Sequence, residues 1–182
     1  GYMLRGDRCF VNSCSFESTA NTFDSLLRIT SSAAYVINSS FVGAGTSSSG
    51  GSYNGHGIDM SQFAFSCANN IVWKVPGNGI QCSENSDDFV ARISNNTVVD
   101  VGNNGIGLAT GVDDKGSYIA NNILYGIGNN GVAANSDDGD VIIIQDMAIG
   151  DVTGVNYNNL DDYDAYADRT TVTAAESDFF DY

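Results

Sequence analysis

The sequence predicts an all-β chain wound as a parallel β-solenoid, and three observations carry that prediction. Landmarks recur every 26 residues: Asn70, Asn96 and Asn122 share one register, as do Asn78, Asn104 and Asn130, and Gly79, Gly105 and Gly131. Between the landmarks run short alternating apolar stretches, with no 3.6-residue periodicity long enough for a helix. The composition favours turns, with 19 Asp against three Glu and with 20 Asn and 20 Ser in 182 residues; these side chains bond nearby backbone rather than extend helices. A closed rung of about 26 residues, stacked in register, pairs each strand with its equivalent one turn later at about 4.8 Å.

Taken in order, the first rung runs through Cys9 to Asn12 and the second through Tyr35 to Asn38, 26 residues on. Asn38 lies 32 residues before Asn70, and the six surplus residues are assigned to a Gly/Ser-rich loop insertion over 43–54. The next three rungs each carry an apolar residue three positions before the ladder Asn (Cys67, Ile93, Ile119) and two positions after it (Val72, Val98, Leu124). They close with Ile80-Gln81-Cys82, Ile106-Gly107-Leu108 and Val132-Ala133-Ala134. A column of Asn satisfies itself, because each amide offers a donor and an acceptor to the amides above and below. Asn12, Asn38, Asn70, Asn96 and Asn122 are expected in one column, and Asn78, Asn104 and Asn130 in another. The Gly79 column is expected at a corner, where Gly and Asn tolerate left-handed backbone. The rungs fill residues 1–150. Residues 151–182, with Asn156-Tyr157-Asn158-Asn159 and Asp178-Phe179-Phe180-Asp181, break the period and read as an irregular C-terminal cap. A start at Gly1 without an initiator Met reads as a fragment of a longer chain.

Ile93-Ser94-Asn95-Asn96-Thr97-Val98 followed by Gly105-Ile106, and Ile119-Ala120-Asn121-Asn122-Ile123-Leu124 followed by Gly131-Val132, resemble right-handed parallel β-helix repeats of the pectate-lyase type. The resemblance covers residues 9 to 150 and implies a fold; that scaffold carries lyases, glycosidases, epimerases and phage tailspikes alike. The tail resembles segments that end β-helix repeats in virion proteins of environmental phages.

Charge excludes one class of partner. With seven Lys+Arg against 22 Asp+Glu, a net charge of −15 and a pI near 4.1, there is no basic surface to neutralise nucleic-acid phosphate. No stretch of about 18 apolar residues is present to span a membrane.

Candidate sites are sparse. His56 and Asp59 follow the Gly/Ser insertion and are the one candidate acid–base pair, but the later members of the Asp59 column are Gln81, Gly107 and Ala133, so no second carboxylate stands there. Lys74 and Arg92 form no basic stripe. Asp88, Asp114 and Asp140 repeat at 26 and read first as hydrated turns, with Ca²⁺ ligation as the alternative; no other cofactor is expected. Trp73 and Tyr125 flank Val99 in a column that is either an outward glycan platform or packed inside or under a neighbouring subunit. Cys67 and Cys82 fall in apolar columns, as Cys14 is expected to with Val72 and Val98. Cys9 is expected in the Cys67 column two rungs away, beyond disulfide reach, so all four read as reduced thiols.

These readings favour a structural β-helical protein of a phage virion (tailspike, fibre or capsid-decoration segment) that binds host polysaccharide and associates as a homo-oligomer, a trimer in first place, or with other virion proteins. The alternative is an extracellular, secreted polysaccharide lyase or glycoside hydrolase.

Overall fold

A computed structural model describes residues 1–20, 24–45, 55–61, 64–83, 90–108, 115–134, 141–154, 157–158 and 165–171. Along the chain these form β1 (Tyr2–Asn12), β2 (Ser15–Glu17), β3 (Ser25–Ile37), β4 (Ser40–Val42), β5 (His56–Met60), β6 (Ala64–Ala68), β7 (Ile71–Val75), β8 (Ile80–Cys82), β9 (Val90–Ser94), β10 (Thr97–Val101), β11 (Ile106–Leu108), β12 (Lys115–Ala120), β13 (Ile123–Ile127), β14 (Val132–Ala133), β15 (Val141–Val152), β16 (Tyr157–Asn158) and β17 (Ala165–Thr171). Every pairing between successive rungs is parallel, and no described residue is helical. The chain is a parallel β-solenoid with rungs about 26 residues apart.

Three stacks of strands enclose the core. The first face stacks the C-terminal half of β1, that of β3, then β6, β9, β12 and β15. The second stacks β2, β4, β7, β10, β13 and the end of β15. The third stacks the start of β1, that of β3, then β5, β8, β11, β14 and β16. Alternate residues point inward, so apolar columns run along the axis: Val36, Cys67, Ile93, Ile119 and Ile144 on the first face, Phe41, Val72, Val98, Leu124 and Ile149 on the second, and Leu27, Ile58, Ile80, Ile106 and Val132 on the third. All are essentially excluded from solvent, each worth about 1.5–3 kcal/mol of transfer free energy for the larger aliphatic side chains. The β-branched character of these columns suits a pleated surface packed on one side.

Two columns hold left-handed backbone. Ser13, Asn38, Asn69, Asn95 and Asn121 turn the chain from the first face to the second at φ between 51° and 55°. Lys74, Asp100, Gly126 and Asp151 form the second such column, within the second face, at φ between 48° and 65°. Gly79 belongs to neither: it stands at the turn between β7 and β8, the corner expected for its column, but without left-handed backbone. That column requires glycine for space: a Cβ on Gly79 would stand 2.3 Å from Val98 Cγ1 and 2.7 Å from the Gly105 carbonyl oxygen.

The register across the insertion also differs from the 32 expected. Ser39, not Asn38, aligns with Asn70, 31 residues on, so the insertion adds five residues rather than six. Between the first two rungs the offset is 25. Within 151–182, β16 and β17 extend the stack against β14 and β15; the offset of β17 is shorter than 26, with Ile143 opposite Ala165, which hides these strands from a search at fixed period.

Candidate functional site

His56 and Asp59 sit on β5, in the third face, where the chain re-enters the stack after the insertion. The strand alternates: Ile58 and Met60 point into the core opposite Leu27 and Ile29, leaving Asp59 on the outer side, opposite Arg28 on one rung and Gln81 on the next. Asp59 is nevertheless only 4% exposed. A carboxylate removed from water needs donors or a counter-charge; two hydroxyls supply the first and a guanidinium the second. Ser83 donates to Oδ1 at 2.6 Å and Ser25 to Oδ2 at 3.4 Å. The Arg28 guanidinium holds Nε 3.4 Å from Oδ2, at an angle that makes an ion pair without a hydrogen bond.

His56 is buried at the adjoining corner. Its Nδ1 accepts the Asn78 backbone N–H at 3.0 Å, which assigns the ring proton to Nε2. Burial holds the imidazole below its usual range; Asp59 pulls the other way, Arg28 reinforces burial, and Asp24 opposes it. Burial and the bond accepted at Nδ1 both favour the neutral ring. Arg28, Ser25 and Ser83 are the members of this cluster that sequence reasoning missed. With the insertion counted as six residues, Asp59 falls opposite Leu27; the matching alternations Leu27-Arg28-Ile29 and Ile58-Asp59-Met60 were the signal for the correct count.

The Asn columns are hydrogen-bonded through. Asn70 and Asn96 each send a backbone N–H and a side-chain N–H to the Oδ1 of the Asn one rung on, at 2.9–3.0 Å, and Asn70, Asn96 and Asn122 reach back to the carbonyls of Val36, Cys67 and Ile93. Asn38 and Asn12 stand outside this column, a correction to the five-member ladder. Ser39 and Cys14 take the two places: Asn70 Oδ1 accepts from Ser39 N–H, and Ser39 Oγ from Cys14 N–H. Asn38 lies in the exposed left-handed column and donates to Asn12 Oδ1 at 3.0 Å. Asn78, Asn104 and Asn130 are joined in sequence by N–H to Oδ1 bonds of 2.9 and 3.1 Å.

The Trp73, Val99, Tyr125 column lies on the outer side of the second face. Trp73 is half-buried, donates Nε1–H to Asp100 Oδ2 at 3.2 Å and carries the Lys74 ammonium 4.1 Å above its ring. Val99 is fully buried yet separate from the contiguous core, between its two aromatic neighbours. Trp73 is therefore engaged within its own sheet.

None of the four cysteines is in a disulfide. Cys67 and Cys82 are buried in the core; Cys14 is exposed in the Asn column, not the Val72 column, and Cys9 aligns with Ala34, so it does not share the Cys67 column. Asp88, Asp114 and Asp140 lie outside the described residues. Among the described residues no three His, Cys, Asp or Glu side chains stand together as a metal site. No protein-family model, curated protein or solved structure matches the chain.

Proposed function

We propose that this chain is a structural β-helical segment of a phage virion, of the tailspike, fibre or capsid-decoration kind, whose work is rigidity and attachment. The observation that carries the reading is the fate of the chain's polar chemistry. Asp59 is held by Ser25, Ser83 and Arg28, His56 by Asn78, and the buried Asn side chains by one another. Groups bonded in this way hold rungs in register and give a stiff rod with a repeating outer surface. The virion part of the reading is supported by the resemblance of the C-terminal sequence to virion β-helix segments. It is tested by mass spectrometry of purified particles from the source: recovery of peptides such as 93–115 in stoichiometric amount supports it, and their recovery only from the soluble extracellular fraction overturns it.

One observation favours a second reading, a secreted polysaccharide lyase or glycoside hydrolase. The fold brings Arg28 beside Asp59 and near His56, adding a cation able to stabilise developing negative charge to a carboxylate and an imidazole. Release of reducing or unsaturated ends from a glycan panel, abolished by Arg28→Ala and by Asp59→Asn in variants that still fold, would decide for the enzyme.

A further inference from the structure

The outer side of the first face carries a groove of about 470 Å³, within the usual range for small-molecule sites, lined by Ala33, Tyr35, Ala64, Ser66, Val90 and Arg92 among others. Strand pairing fixes its layout. One outward column reads Phe10, Tyr35, Ser66, Arg92, Tyr118, and the column beside it reads Arg8, Ala33, Ala64, Val90. Small side chains at Ala33, Ala64 and Ser66 form the floor. Tyr35, 49% exposed and packed at 6.4 Å against the Phe10 ring, makes one wall. Arg92, exposed and without an ion-pair partner among the described residues, makes the other, two rungs or roughly 9–10 Å away.

From this groove we infer a binding site for a carboxylated saccharide, with a sugar ring stacked on Tyr35, a hydroxyl bonded to Ser66 and a carboxylate paired with Arg92. Three features select that chemistry. An exposed aromatic face beside a hydroxyl suits a ring with an apolar face and a polar edge. A guanidinium matches a carboxylate bidentately. In a chain with 22 acidic residues, neither of these columns holds an Asp or Glu at the positions named, while Arg8 and Arg92 both stand in them, so the charged side chains that these two columns present are cationic. A peptide is disfavoured because β3, β6 and β9 are each paired on both sides, which leaves no sheet edge for an added strand. The site lies on a different face from Trp73 and Tyr125. It deepens the attachment part of the proposed function by naming a ligand class.

The test is calorimetric titration of the full chain with uronate- and sialate-based oligosaccharides, each matched to its neutral methyl ester, and with an acidic peptide. Saturable binding of at least one acid, at least tenfold weaker for its ester, and lost tenfold or more in Arg92→Ala and in Tyr35→Ala, is the expected result. Ala64→Trp, which fills the floor, should abolish binding, and Trp73→Ala should leave it unchanged. No saturable binding, equal binding of acid and ester, survival of binding in the Tyr35→Ala, Arg92→Ala double variant, or a preference for the peptide would each overturn the site. Thermal melts of the same variants check folding. Particle mass spectrometry tests the structural reading separately, so the failure of one is distinguishable from the failure of the other.

Discussion

The Asn78 backbone N–H donates to His56 Nδ1 at 3.0 Å, and one rung later the Asn104 N–H makes the equivalent bond to Asn78 Oδ1 at 2.9 Å. His56 is therefore the first member of the Asn78, Asn104, Asn130 column, an imidazole standing where later rungs place an amide. The difference matters because an amide keeps its acceptor at any ordinary pH, whereas protonation of Nδ1 turns an acceptor into a second donor facing an N–H.

A pH dependence follows. Burial lowers the His56 pKa below its unfolded value of 6.5, so at pH values below that the unfolded chain binds the proton more readily than the folded one. Stability from this group is complete above about pH 6.5 and falls as the pH drops from there towards the lowered folded value. His56→Asn retains an acceptor that cannot titrate. The melting temperature of the parent minus that of His56→Asn should decline between pH 7.5 and 5.5; a constant difference would show that the ring does not lose this bond on protonation.

Asn96→Ala removes an acceptor used by both the Asn70 backbone and the Asn70 side chain, and a donor to the Cys67 carbonyl, all within the core. Its cost should be about 1–3 kcal/mol for each buried polar group left unpaired. Asn38→Gly acts at an exposed left-handed position and should stay within about 0.5 kcal/mol of the parent. Urea unfolding of the two variants checks the contrast, and equal costs would contradict the split between the columns.

Gly79→Ala should destabilise by about 1–3 kcal/mol, the usual range for overpacking, because its new methyl group meets Val98 and a backbone carbonyl oxygen together. A melt indistinguishable from the parent would mean that the third and second faces can part at that corner without loss.

Thiol reactivity should follow burial. Cys14 is exposed and should alkylate within the mixing time, while Cys67, whose thiol pKa burial pushes well up, and Cys82 should react only on unfolding. Intact-mass measurement after iodoacetamide, with and without denaturant, reads this directly.

The regular part of the solenoid was legible because a repeat carries its own register. Asn70, Asn96 and Asn122 recur at a constant 26 with matching apolar neighbours, and stacking like on like satisfies their amides and packs Val72, Val98 and Leu124 together. The Gly and Ser residues of a loop do not themselves fix how many residues leave the stack; only the matching strand alternations on either side of it do. At the Gly/Ser insertion, a one-residue difference in that number moves Asn38 from the buried column to the exposed corner and brings Arg28, rather than Leu27, opposite Asp59. Which side of a strand faces water is likewise set by closure of the three faces, and that closure turned Trp73 into a partner for Asp100 and Lys74 while leaving Tyr35 and Arg92 on the outer wall. Sequence alone determined the periodic architecture, since period and chemistry repeat together. The three-dimensional closure decided the site, because a side-chain period of two reverses inside and outside with every single-residue shift.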